Sequence, residues 1–278
     1  MIDFIMLTRP VNSVMVGFAV IIGMAVTDPN QLLTTSMLLG FLTGFLISSY
    51  SMVVNDWYDL EVDKINSPNR PLANSRIQPR TAVAYAFILL ILGIISSIFI
   101  NLNTFIIASV FASIAWVYNY LGKKQMLLGN MMVAASVAIP YIYGGAVVGM
   151  IEDPLLWFLA LTSFLAATGR EIIKTIVDVE GDNERDVKSV AILYGPRIAS
   201  ILGAVFFIGA IGSTILPIIM DQVGLIFTIF ILVPDALFVY MSIKIIKDYS
   251  KNNALKIKKL ALISMIVGMA VFIIGGLY

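Results

Sequence analysis

The sequence predicts an all-α membrane protein, with nine transmembrane helices in one bundle, the N-terminus cytoplasmic and the C-terminus outside. Three observations lead there. Of the 278 residues, 59% are hydrophobic and 13% charged, whereas a soluble globular protein carries about 25% charged residues. The mean hydropathy of +0.95 means more apolar surface than a soluble core can hide, so most of it must face lipid. Finally, apolar runs of about 20 residues, each long enough to cross roughly 30 Å of hydrocarbon, recur along the whole chain.

In order, the runs lie near 11–27, 31–54, 81–100, 102–121, 128–150, 154–177, 198–219, 223–243 and 260–277. They are continuous rather than alternating, which favours helices over a barrel, the two architectures that satisfy the backbone in lipid. Turn formers separate several of them, including Asp28-Pro29-Asn30, Asn101-Leu102-Asn103 and Asp153-Pro154. Asp3 and Arg9-Pro10 ahead of the first run argue against a cleavable signal peptide.

The basic residues fix the count. Arg9 precedes the first run; Lys64, Arg70, Arg76 and Arg80 follow the second, and Lys123 and Lys124 the fourth. Arg170, Lys174, Arg185, Lys188 and Arg197 lie at or after the end of the sixth, and six lysines from Lys244 to Lys259 fill the eighth connection. All 18 bases thus fall on one side of a nine-span chain, and that side is cytoplasmic by the positive-inside rule. The opposite connections hold only Asp28, Glu152, Asp153 and Asp221. The chain, 1–278, therefore reads as one transmembrane domain with cytoplasmic cap loops near 55–80, 122–128 and 178–197. The two acidic loops follow spans four apart, which hints at a parallel duplication of a four-helix unit.

With Cys and His both absent, disulfides, thiolate nucleophiles, Cys/His metal sites and histidine bases are excluded. Chemistry must use oxygen and amine groups. Asp56, Asp59 and Asp63 share one face if the second helix runs on for two turns, with Asn55 beside them; Asp178, Asp182 and Asp186 step by four. Like charges at this spacing repel, so a cation is expected between them. A divalent metal held by carboxylates and substrate phosphates answers that need, with nearby lysines and arginines completing the neutralisation.

The string from Asn55 to Asp63, followed by Asn66-Ser67-Pro68-Asn69-Arg70-Pro71, resembles the first aspartate motif of the UbiA superfamily of intramembrane prenyltransferases. Asp178 to Asp186 resembles the second. Arg9-Pro10 with Asn12, Tyr118 to Lys124 with Gly129-Asn130, and Tyr143-Gly144-Gly145 also resemble their counterparts. The likeness covers almost the whole chain. It implies a nine-helix bundle that uses Mg²⁺ to transfer a prenyl group from a prenyl diphosphate to a lipophilic or aromatic acceptor. The run Arg170-Glu171-Ile172-Ile173-Lys174 ahead of Asp178 is most similar to members that geranylgeranylate the free hydroxyl of geranylgeranylglyceryl phosphate, a lipid-phosphate acceptor of archaeal ether-lipid synthesis. Two stretches depart from the pattern: Lys188-Ser189-Val190-Ala191 stands for a Lys-Thr-Leu-Pro run, and Ala73-Asn74-Ser75 for a glycine-containing turn.

The expected roles follow. Asn55, Asp56, Asp59, Asp63, Asp178, Asp182 and Asp186 form the Mg²⁺–diphosphate cluster, and Lys64, Arg70, Lys123 and Lys124 contact phosphate. Arg170, Glu171, Lys174 and Arg9 bind the acceptor or pair among themselves. Asn12 and Asn130 join the substrate-binding set, and Trp116, Tyr118 and Tyr143 are candidates to wall the allylic cation. Asp235, after Pro234, is an acid near mid-membrane and so either functional or bonded to backbone freed by the proline. The lysines of the eighth connection read as a topology and anionic-lipid signal. The surroundings are membrane lipid, with no nucleic acid. The competing readings are an aromatic quinone-precursor or tetrapyrrole acceptor, and a cation or phosphate transporter.

Overall fold

The computed structural model describes residues 2–120, 125–183 and 188–276. Eleven α-helices follow one another: α1 (Ile2–Leu7), α2 (Pro10–Thr27), α3 (Thr35–Tyr58), α4 (Leu60–Asn66), α5 (Pro79–Ile98), α6 (Leu102–Tyr120), α7 (Met126–Val147), α8 (Pro154–Asn183), α9 (Val190–Ile219), α10 (Leu225–Lys247) and α11 (Lys251–Gly276). Among the described residues nine of them, α2, α3 and α5 to α11, are long and apolar enough to span a membrane.

The turn formers do the work their chemistry suggests. Asp28 Oδ1 accepts from Asn30 N at 3.1 Å, Asn101 Oδ1 from Thr104 N at 2.9 Å, and Asp153 Oδ1 from Leu155 N at 2.8 Å. Each supplies an acceptor for an amide that the first turn leaves without a partner. At the start of α3, Thr34 Oγ1 does the same for Met37 N.

Three helices differ from the predicted spans. α9 starts at Val190 rather than near 198, because its first turn precedes a kink at Gly195 (φ 82°); glycine takes that conformation without penalty, and Pro196 follows it. α11 starts at Lys251 rather than near 260. Its first turns bury Asn253, Ala254 and Ile257 while Lys251, Lys256 and Lys259 stay exposed, so an amphipathic extension leads into the apolar span. α3 does not run on unbroken: it ends at Tyr58, Asp59 caps it, and α4 begins at Leu60. The bonds Asp59 N to Asn55 O (3.0 Å) and Asp63 N to Asp59 O (2.7 Å) carry the register across that break.

The nine long helices close a ring, each packing on the next long helix and α11 returning to α2, while α2 also packs on α7 and α8 on α11. The pairings α2 with α3, α3 with α5 and α5 with α6 recur as α7 with α8, α8 with α9 and α9 with α10. At the α2–α7 crossing the backbones nearly touch. A Cβ on Gly23 would lie 2.1 Å from Tyr141 O, and one on Gly144 2.2 Å from Val20 O. Within a bilayer such close approach is the main source of helix–helix attraction, because lipid removes the hydrophobic one. Exposed Ile91, Phe99, Ile229 and Phe230 belong to the outer belt.

Candidate active site

The site begins at a hinge. Arg9 joins α1 to α2 in the left-handed region (φ 45°, ψ 66°), a conformation costing roughly 1–2 kcal/mol for a non-glycine residue. Pro10 has no amide hydrogen to bond there. Thr8 O instead accepts from the Ser13 hydroxyl at 2.8 Å, and Asn12 N donates to Arg9 O at 2.9 Å. The hinge aims the Arg9 guanidinium at the end of α3, where Nη2 donates to Asp56 Oδ1 at 2.5 Å.

A second arginine arrives from the loop after α4. Pro71 and Leu72 are buried, and Leu72 and Ile77 pack with Leu7, Val53 and Ala82, which pins the loop backbone. Arg76 bonds Asp3 Oδ1 at 2.7 Å and Asn69 O at 2.6 Å, tying the loop to α1. Arg70 Nη1 then reaches Asp56 Oδ1 at 3.3 Å and also forms a very short ion pair with Asp63 Oδ2. The side chains of Asp56 and Asp63 are 4% and 7% exposed, against 31% and 34% for Arg9 and Arg70. Two nearly buried carboxylates thus share two arginines, with one guanidinium nitrogen between them. Burial of this kind requires partners for both charges.

Asp59 lies beside Asn55, whose Nδ2 donates to Asp59 Oδ2 at 3.3 Å. The structure therefore divides the first motif: Asp56 and Asp63 converge on Arg70, and Asp59 on Asn55. Lys64 is exposed and paired with Glu61 at 2.7 Å. Among the described residues no three acidic side chains converge as a metal-holding group.

The second motif sits at the end of α8. Asp178 is half-buried, Asp182 is described in its backbone alone, and Asp186, Lys123 and Lys124 lie outside the described residues. One to two turns earlier, Glu171 is buried and accepts from Arg170 Nη1 at 2.6 Å and Lys174 Nζ at 3.2 Å. The predicted mutual pairing is present, yet the trio keeps one net positive charge, and Arg170 Nε is enclosed without a partner. An enclosed cationic N–H donor lacking an acceptor suits an anion.

The remaining candidates scatter. Asn12 is exposed on the first turn of α2, and Tyr118 is half-buried. Asn130 encloses an unpartnered Nδ2. The buried Tyr143 hydroxyl has no well-formed hydrogen bond, and its ring lines an apolar pocket with Val20, Thr43, Ile47 and Phe111. Trp116 meets two rings that the sequence reading passed over, Trp57 at 6.1 Å and Tyr58 at 5.9 Å. These two lie between Asp56 and Asp59 in sequence, and that position inside the motif was the available signal.

A carboxylate–arginine cluster at the end of α3, in a ring of nine membrane-length helices among the described residues, defines a class of membrane enzyme. The UbiA prenyltransferase family signature matches residues 16–266, and the chain belongs to that family. It is 30% identical to digeranylgeranylglyceryl phosphate synthase of Methanosphaera stadtmanae, over 99% of each chain. It is 34% identical to the enzyme of that name from Methanococcus aeolicus, over 99% of this chain and 97% of the relative. A solved structure described as digeranylgeranylglyceryl phosphate synthase in membranes superposes with a TM-score of 0.89 and 31% identity, covering 99% of this chain and 97% of that one. A UbiA homologue from Archaeoglobus fulgidus bound to DMAPP and Mg²⁺ shares the fold, with a TM-score of 0.74 and 21% identity over 97% of this chain and 99% of that one.

Proposed function

We propose that this prenyltransferase moves a geranylgeranyl group from its diphosphate to the free hydroxyl of geranylgeranylglyceryl phosphate, releasing diphosphate, in archaeal-type ether-lipid synthesis. The observation that carries the acceptor is the likeness, at 30% to 34% identity and nearly full length on both sides, to enzymes named for that product.

The residues present fit a divalent metal. A single cationic nitrogen of Arg70 already touches both Asp56 and Asp63, so one cation can serve both carboxylates. Asp56 and Asp63, with Asn55, Asp59, Asp178, Asp182 and Asp186, would hold Mg²⁺, which would supply charge neutralisation to the departing diphosphate. The chain's own part is positioning. Arg9 and Arg70 stand where they can donate to diphosphate oxygens, with Lys64, Lys123 and Lys124 as further phosphate contacts. Trp57, Tyr58 and Trp116 provide aromatic faces on the flank of α3 that suit an allylic cation. Arg170 and Lys174 hold the acceptor's phosphate while Glu171 holds both of them. With no histidine in the chain, the acceptor proton leaves to a carboxylate, a phosphate or water.

In this reading 1–278 is one domain in the cell membrane, with the active site on the cytoplasmic side. The disposition of the 18 bases supports that orientation. The test is a product assay on purified protein with labelled geranylgeranyl diphosphate, Mg²⁺ and a panel of acceptors. Labelled digeranylgeranylglyceryl phosphate is expected; product from an aromatic acceptor alone would move the protein to the competing specificity.

A further inference from the structure

The nitrogen of Arg70 between Asp56 and Asp63 has a consequence for the order in which ligands bind. Two nearly buried carboxylates are neutralised by two guanidiniums, so a divalent ion arriving alone meets a pair with no net charge to offer. A diphosphate changes this. Its several negative charges draw arginines into bidentate contacts, geometry that guanidinium matches better than ammonium, and each arginine that leaves uncovers a carboxylate oxygen.

We propose that Arg70, assisted by Arg9, is a stand-in cation: in the substrate-free enzyme it occupies the position between Asp56 and Asp63 and, when the donor binds, moves to the diphosphate, so that metal and donor bind as a coupled pair. This deepens the function proposed above and rests on it.

The local structure permits the motion. Leu72 and Ile77 anchor the loop backbone in the core, and the Arg70 side chain is 34% exposed, so rotation about its own bonds is enough. The neighbouring cations are engaged elsewhere. Arg76 is committed to Asp3 and to Asn69 O, and Lys64 to Glu61. Arg70 touches both carboxylates and Arg9 touches one, which makes Arg70 the principal stand-in.

The alternative is a permanent strut, in which Arg70 ties its loop to α3 and α4 and takes no part in ligand exchange. Stability alone does not separate the two, since losing Arg70 weakens the fold in either case. Thermodynamic coupling does.

The experiment measures Mn²⁺ binding to the detergent-solubilised full chain by electron paramagnetic resonance, with and without geranylgeranyl thiolodiphosphate, an analogue that resists ionisation. For the wild type, the analogue is expected to tighten Mn²⁺ at least about tenfold, within the 5–150-fold span usual for coupled sites. In Arg70→Gln, Mn²⁺ alone should bind more tightly than to the wild type, and the analogue's effect should shrink to about threefold or less, a coupling under 1 kcal/mol. Arg9→Gln, on a different element, should shift both quantities in the same direction by less, and serves if Arg70→Gln does not fold. Equal Mn²⁺ affinity with and without analogue in the wild type overturns the stand-in role, as does undiminished coupling in the variants. Failure of the wild type to bind either ligand overturns the proposed function itself.

Discussion

Arg9 and Asp56 are 47 residues apart in the chain and 2.5 Å apart in space. This contact joins the hinge before the first span to the end of the second, and sets the mouth of the site. Asp56 is its centre, touched by both arginines.

Replacing Asp56 with Asn should keep the shape and remove the charge. Prenyl transfer is expected to fall by about a hundredfold or more, the scale of losing one transition-state stabiliser. The fold should lose only about 1–3 kcal/mol, because both arginines are partly exposed and can turn to water. Thermal unfolding in detergent alongside kcat separates the two effects.

Lys174→Met and Arg170→Gln should act on the acceptor alone. A charge-assisted hydrogen bond contributes about 1.5–3 kcal/mol, so the KM for geranylgeranylglyceryl phosphate should rise roughly tenfold to a hundredfold while that for the donor stays put. Equal changes in both constants would remove the trio from the acceptor site.

The sequence made some of this legible. Span number came from charge alternation, which survives errors of several residues at each boundary. The single face expected for Asp56, Asp59 and Asp63 is instead divided, because the helix breaks at Asp59, whose side chain meets Asn55 while Asp56 and Asp63 meet Arg70. The distribution of work among the cations was not legible. Lys64 and Arg70 read alike, yet one is exposed on Glu61 and the other lies between two carboxylates. That difference depends on the break at Asp59 and on a loop pinned by Leu72, which no periodicity encodes. α1 escaped notice because six residues are too few to show a period.

At the α2–α7 crossing, Gly144→Ala should be severe. Its Cβ would lie 2.2 Å from a backbone oxygen, and overpacking of a tight core costs typically 1–3 kcal/mol and sometimes more. A fall in detergent melting temperature is expected, whereas Gly212→Ala, whose Cβ meets nothing within 4 Å, should leave it unchanged.

Mid-membrane, Asp235 Oδ2 lies 2.8 Å from the Thr214 hydroxyl in a cavity whose lining includes Ser163, Ser264 and Phe272 and no cationic side chain. The Thr214 hydroxyl donates to the carboxylate, but no lining cation offsets the burial of a negative charge. Asp235→Asn, which preserves the hydrogen bond, is therefore expected to change stability by less than about 1 kcal/mol and to leave turnover intact; a large loss of either would give this acid a charged role.

Because the chain has no cysteine, orientation can be read directly. A single cysteine at Lys251 should react with an impermeant maleimide only from the cytoplasmic side, and one at Glu152 only from outside. The reverse pattern would invert the topology.

The central claim is tested most directly by one incubation: the purified wild-type chain with radiolabelled geranylgeranyl diphosphate, geranylgeranylglyceryl phosphate and Mg²⁺, run beside Asp56→Asn and a sample containing EDTA. The expected result is labelled digeranylgeranylglyceryl phosphate from the wild type alone. Product formed equally by all three samples, or by none while an aromatic acceptor is prenylated, would contradict the account.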